Sequence, residues 1–322
     1  MTEIPLHEMR STRWMPSAVE RALNAALTRG HGYEPIPRGP NFDRASVRGY
    51  YLDFRSKTRS PTARDLDVLP AIQLIQLGLG WWERHVAGEP DAHDRFLELC
   101  AAIEARGTAD GDGFRWPIGA EVAKYRLAPG WSSALSQSQG ASLFVRAHSS
   151  TGEDRYAELA RRAARLLLDD TGSELVTVTS TGPVLEEAPA SPPAHILNGW
   201  MAGLWGLWDV HVGLGGKHER RVFDASVRCL VEWLPSYDTG WWSLYSLYPH
   251  AIQDLAKPFY HRLHVDQLEV LHELTGDPAL RETAERWRAY DTPAHRAAAV
   301  AQKAAFMVAD SRRRDHWRSA GG

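Results

Sequence analysis

The chain is short of cysteine, of long apolar runs and of excess charge of either sign. Cys100 and Cys229 are its two cysteines among 322 residues. Both sit in apolar, helix-like contexts, which excludes a disulfide framework and leaves buried thiols as the reading. No run approaches the roughly 18 apolar residues of a membrane span. The first ten residues, Met1 to Arg10, lack the apolar centre of a secretory signal, so a cytoplasmic location is expected. With a net charge of -3 the chain has no basic field for nucleic acid, and any anionic ligand must be held by local cations. What it has is material for a large core, 43% hydrophobic residues against 24% charged.

Tryptophan stands out at 13 residues, several of them clustered as Trp81-Trp82, Trp200, Trp205, Trp208 and Trp241-Trp242. Such clusters either fill the space between helices or line a cleft with flat apolar faces and N–H donors. Both readings stay open.

Glycine punctuation is regular. Gly88, Gly152, Gly215 and Gly276 recur roughly every 62 residues, each after an apolar or amphipathic run and before another. Glycine just past a helix end, followed by an acidic residue or proline, is the expected break of an αα-hairpin. One such hairpin cannot bury its own face and must stack on the next. The expectation is an all-α fold, an (α/α) toroid of hairpins around a central cleft. Two segments, 114–127 and 174–186, are β-branched and alternate about glycine or proline, so short β-hairpins are predicted there, at the rim. The predicted organisation is a single domain over 14–310, with a flexible arm at 1–13 and a flexible tail at 311–322.

Ionisable and aromatic groups crowd together in Asp238-Thr-Gly-Trp241-Trp242-Ser-Leu-Tyr245 and in Lys257-Pro-Phe-Tyr260-His261-Arg262-Leu-His264-Val-Asp-Gln267. A phenol titrates near 10, so it moves protons usefully only when cations or burial tune it. Such clusters are seldom needed to hold a fold, which makes this stretch the best sequence evidence for chemistry. His261 and His264 stand at helical spacing and could share a metal, but no third ligand at informative spacing accompanies them.

Four motifs, in order, resemble the C-terminal domain of the D-glucuronyl C5-epimerases. They are Gly49-Tyr-Tyr-Leu-Asp-Phe-Arg55-Ser-Lys57; Ala128-Pro-Gly-Trp131 through Gln137 and Gln139; Glu186-Glu187-Ala188-Pro189 leading to Asn198; and the Asp238 to Leu268 cluster. The resemblance implies a toroid whose cleft binds a heparosan-type glycan. It also implies removal and return of the proton at C5 of a glucuronate unit, without metal or organic cofactor. Carried over by position, it implies catalytic roles for Glu187, Tyr245 and Tyr260. No counterpart of the β-rich N-terminal domain of the animal enzymes is expected. Departures are Ala188 and Lys257, where the family has tyrosine and arginine, Tyr248 near a family arginine, and Arg262 at a family threonine.

Proton removal beside a carboxylate needs a base on one face, an acid on the other, and donors on the developing enediolate. Glu187 and Tyr260 are the expected facing pair, with Tyr245 as donor or shuttle. Lys257, His261, Arg262 and His264 are the expected local cations, and Arg55, Lys57 and Arg126 join them if the rim folds over. Trp131, Trp241, Trp242 and Tyr248 offer rings to a sugar, and Gln137, Gln139 and Asn198 offer amides to its hydroxyls. A lyase expelling the C4 substituent from the same carbanion stays open. So do a cyclase with a ring-lined cleft for a terpenoid or other natural-product precursor, and a glycan-binding module. The ligand expected is a glycan or small molecule rather than nucleic acid, with a homodimer left open.

Overall fold

The computed structural model describes residues 69–319, with side chains to Asp310. Arg55, Lys57 and the expected arm at 1–13 lie outside the described residues. The described part is mostly helical: α1 (Ala71–Val86), α2 (Ala92–Arg106), α3 (Ala134–Thr151), α4 (Asp154–Arg165), α5 (Leu197–Leu214), α6 (Lys217–Tyr237), α7 (Pro258–Thr275), α8 (Pro278–Tyr290) and α9 (Pro293–Ser319). The last of these runs on as helix to Ser319.

The four glycines break the chain as their spacing predicts. Gly152, Gly215 and Gly276 end α3, α5 and α7 with φ of 72°, 74° and 75°, the left-handed region that a side chain disfavours. Four residues before each stands a histidine whose Nδ1 lies 2.8–3.1 Å from the carbonyl just past the glycine: His148 on Glu153, His211 on Gly216 and His272 on Asp277. At the first hairpin Arg84 holds Glu89 in the corresponding positions, at 2.8 Å. The repeat is therefore a polar clasp over each turn as well as a glycine.

Packing sorts the helices into two rows. The odd-numbered helices neighbour one another in the order α1, α3, α5, α7, and each even-numbered helix packs on its hairpin mate. Residues 197–210 of α5 are buried on every side, while α4 is strongly one-faced, with Tyr156, Ala157, Leu159, Ala160, Ala163 and Ala164 inward. Close approach of α3 and α5 depends on Gly206, where an added Cβ would stand 2.5 Å from the Ser138 carbonyl oxygen. The Ser138 hydroxyl donates to Ala202 O at 2.7 Å and accepts from Gly206 N at 2.8 Å. Arg146 and Asp209, both fully buried, pair across the same helices at 2.6 Å.

The tryptophans settle mainly into this core. Trp82, Trp200, Trp205, Trp208 and Trp242 are buried, so they do not form an open ring-lined wall. Two short antiparallel hairpins interrupt the helices. One, β3 (Val176–Val178) with β4 (Pro183–Leu185), falls inside the predicted 174–186 segment. The other, β1 (Thr108–Asp110) with β2 (Gly113–Arg115), turns at Gly111 and lies upstream of its predicted place. The remainder of 114–127 runs through isolated bridges and a 3-10 turn at Ala123–Tyr125. Phe114 and Trp116 are buried there, so the alternation signals a packed strand end rather than a second hairpin arm.

Candidate functional site

Three connecting segments meet on the side where the odd-numbered helices begin. The first leads into α3 and carries Lys124 and Tyr125. The second leads into α5 and carries Glu187. The third leads into α7 and carries Tyr245, Tyr248, Asp254 and Lys257, with Tyr260 in the first turn of α7 itself. The backbone ties them together: Ala134 N donates to Glu186 O at 3.0 Å, Leu197 N to Tyr245 O at 3.0 Å, and Tyr245 N to Asp254 O at 2.7 Å. Helix N-termini carry partial positive charge, so this side of the fold favours anions before any lysine is counted.

Adjacent glutamates take opposite jobs because an extended chain sends neighbouring side chains to opposite sides. Glu186 is buried and structural: its carboxylate accepts from Thr177 Oγ1 at 2.9 Å and from His195 N at 3.0 Å. Glu187 turns the other way, onto the first turn of α5. There Asn198 Nδ2 donates to its Oε2 at 3.3 Å. Position 199 must be glycine for this contact, since an added Cβ would lie 2.2 Å from Glu187 Oε2. Burial pushes the Glu187 carboxyl up to about 7, against the lowering pull of Lys124 and Asn198. That is where a general base at neutral pH is most effective.

Tyr245 lies at the centre. Its ring meets that of Tyr260 edge-on at 5.0 Å, and the ammonium groups of Lys124 and Lys303 stand 4.9 Å and 5.3 Å from its ring centre. Burial, then the nearby Glu187 and Tyr260, push the Tyr245 phenol well above its ordinary value, so it is a neutral O–H donor at neutral pH. Burial likewise pushes Tyr125 up to about 12. Lys124 responds in the opposite sense: burial works against its charge, but Tyr125, Asp254 and Glu187 outweigh it and hold the ammonium above its ordinary range. Asp254 is buried, which alone would raise it, yet Lys124 at 3.6 Å and the ion pair with Lys303 hold it low. Lys257, the residue capping α7, is brought down to about 8 by burial and by Lys303 and Lys124.

The remaining expected site residues divide by burial and bonding. Tyr248 and Trp131 belong to a small apolar cluster with Tyr125, Ala188 and Tyr245. Arg126 is exposed directly after the 3-10 turn. Gln139 and Asn198 are buried with unpartnered Oε1 and Oδ1 atoms, and Gln267, part of the 257–267 cluster but given no expected role, has an unpartnered Oε1 and gives its N–H to Asn198 O at 3.0 Å. Such acceptors suit a ligand's hydroxyl groups.

Several others serve the fold. Gln137 donates to Phe114 O at 2.6 Å and Ala163 O at 3.3 Å, which locks β2 and α4 onto α3. Trp242 is sealed, stacked on His261 at 3.8 Å and donating to Ala256 O at 2.8 Å, and Trp241 packs beside it. His261 and His264 were expected as cations. Burial brings His261 down to about 4 and His264 well below its ordinary value, so both are neutral at physiological pH. Each has its Nδ1 within 3.0 Å of Ser243 Oγ. Arg262 is buried and reaches Asp291 at 3.8 Å, which ties α7 to the end of α8.

Lys124, Asp254 and Lys303 were missed, because nothing in their local sequence marks them; they become visible only when three connections and α9 converge. Two other features lie apart from this cluster. Asp169, Asp170 and His218 gather on the surface, but Asp170 already pairs with Arg165 at 2.8 Å. A cavity of about 510 Å³ between the β1–β2 hairpin and the 170–175 loop is lined by Asp110, Arg115, Ser132 and Glu174 and by none of the proton-transfer candidates.

A helical fold thus gathers a raised carboxyl, neutral phenols and ammonium groups near its helix N-termini. Residues 110–289, more than half of the chain, match the family described as the D-glucuronyl C5-epimerase C-terminus. The chain belongs to this family. It is 30% identical over 218 residues to the D-glucuronyl C5-epimerase of Caenorhabditis elegans, covering 62% of this chain and 35% of that protein. It is 26% identical over 263 residues to an uncharacterized protein of Methanocaldococcus jannaschii, covering 80% of this chain and 78% of the relative. The chain thus spans about a third of the length of the nematode enzyme and over three quarters of the archaeal protein.

Proposed function

We propose that this protein is a uronate C5-epimerase acting on glucuronate units of a heparosan-type glycan. The observation that supports the reading is the Glu187 carboxyl, pushed up to about 7, in electrostatic reach of Tyr245 and Lys124, with the Tyr260 ring edge-on to that of Tyr245 at 5.0 Å. Lys124 holds the uronate carboxylate. Glu187 removes the C5 proton, and the electron pair moves into the carboxylate to form an enediolate. Lys124 and the Tyr245 O–H stabilise that charge. Tyr260 returns a proton to C5 from the opposite face, giving iduronate; Glu187 then gives up the proton it took to solvent water, and Tyr260 regains one from solvent through the Tyr245 hydroxyl. The two rows of hairpins curve into a closed toroid around this site, and Lys257 stands where the family carries an arginine.

The reading is tested by incubating the protein with N-acetylated and N-sulfated heparosan and following the iduronate signals by NMR. Tyr260→Phe removes the returning acid and should abolish them. Ultraviolet absorbance from an unsaturated uronate, in place of iduronate, would instead assign a lyase using the same carbanion.

A further inference from the structure

The family match ends at residue 289, whereas α9 begins at Pro293. α9 packs on α7 and on the 3-10 turn that carries Lys124, bridging two of the segments that build the site. Within residues 293–310 it presents Ala299, Lys303 and Phe306 as one buried stripe, a turn apart, among neighbours that are exposed or half-buried. Phe306 meets the His250 ring edge-on at 4.8 Å and lies 4.8 Å from the Lys303 ammonium. That anchors the lysine above Tyr245.

Lys303 ends on Asp254 Oδ1, while Lys124 stands 3.6 Å from Asp254 Oδ2. One buried carboxylate is therefore shared unequally between two ammonium groups. The Asp254 side chain is fully buried, that of Lys303 is 7% exposed and that of Lys124 is 26% exposed. The shielded lysine takes the close contact; the accessible one takes the long contact. Remove Lys303 and the carboxylate, still buried, has Lys124 as its remaining partner within ion-pair distance among the described residues. It would draw that ammonium in, because an unpaired buried charge is costly.

We propose that Lys303 is a positioning residue, supplied by a helix outside the family-matched segment, that occupies Asp254 so that Lys124 remains available to a substrate carboxylate. The inference rests on the epimerase reading, which makes the substrate a uronate, and it deepens that reading by naming what keeps the carboxylate-binding cation free.

The test compares the wild type with Lys303→Met, Lys303→Arg and the double variant Lys303→Met/Asp254→Asn. Glycan affinity is measured by calorimetry, and KM and kcat by proton exchange, with folding checked by near-ultraviolet circular dichroism. Lys303→Met should weaken glycan binding and raise KM on the order of tenfold, the loss of one charge-assisted contact, and should lower kcat as well, because a Lys124 drawn onto Asp254 no longer stabilises the enediolate. Lys303→Arg should keep the wild-type KM. The double variant has no lone carboxylate to fold around, so it stays measurable even if the single variant does not fold. It should recover most of the lost affinity, because a neutral amide in place of the Asp254 carboxylate releases Lys124. Equal affinity of wild type and Lys303→Met, or a double variant as weak as the single one or weaker, overturns the inference. Failure of the epimerase reading shows separately, as a wild type that binds the glycan and exchanges no proton.

Discussion

Glu187 is the base of the proposed reaction, and its environment makes two opposite predictions for one substitution. Glu187→Gln should lower proton exchange by about 10²–10⁴-fold, the usual contribution of a positioned general base. It should also stabilise the fold at alkaline pH. The folded carboxyl titrates near 7, above its ordinary 4.5, so the folded state binds the proton more tightly than the unfolded chain. Stability associated with this group is full below 4.5 and is lost as pH rises through about 7. Glutamine never ionises and keeps it. A melting comparison above pH 7 should favour Glu187→Gln by on the order of 1–2 kcal/mol; a wild type as stable there as the variant would mean that the carboxylate is well solvated. The wild-type rate should rise with pH up to about 7, as the base sheds its proton, and level off above. At this scale the sequence was partly legible. Glu187, Tyr245 and Tyr260 stood out through their motifs; the Tyr245 ring lies against that of Tyr260, and Glu187 is in electrostatic reach of Tyr245. The histidines misled, because spacing shows that two imidazoles share a helix face but not that the face is dry. Lys124 and Lys303 were silent for the opposite reason: lone lysines look solvated until burial on Asp254 is seen.

Elements carry the next set of constraints, and glycines show them most directly. Gly199 lets Glu187 lie on the first turn of α5, and Gly206 lets α3 touch α5. Gly199→Ala should cost about 100-fold in exchange by shifting the base on the order of 1 Å, and should lower stability too, because the methyl would stand 2.3 Å from Glu187 Cβ as well as against its carboxylate. Gly206→Ala presses a methyl against backbone instead and should cost about 1–3 kcal/mol of stability. If Gly199→Ala left the exchange rate unchanged, Glu187 would not be the base. The hairpin turns were legible for a physical reason: left-handed backbone demands glycine, and the demand recurs at each turn. The histidine clasps recur with it, at a fixed offset that a search for glycine alone passes over. His211→Ala should lower stability by about 1 kcal/mol through the loss of that carbonyl contact. The β1–β2 hairpin was misplaced because alternation in 114–127 reports one buried face, and a packed strand end shows the same alternation as a hairpin arm.

Over the whole molecule, a chain of net charge -3 concentrates lysines 124, 257 and 303 on the side where three helices present their N-termini. Composition averages that asymmetry away, which is why overall charge gave no hint of a cationic site. A polyanionic glycan should therefore bind less tightly as salt is raised, with KM rising and kcat steady, since screening weakens attraction without altering the reacting groups. The helical class was legible from periodicity and turn spacing together. The meeting of residues 124, 187, 245, 254 and 303 was not, because it is a property of how the hairpins stack. Solvent-proton exchange at C5 tests the account most directly. In deuterated water the wild type should place deuterium at C5 of glucuronate in a heparosan-type glycan, and Glu187→Gln should place almost none. Wild-type protein that binds uronate-containing glycans and leaves every C5 proton in place would contradict it.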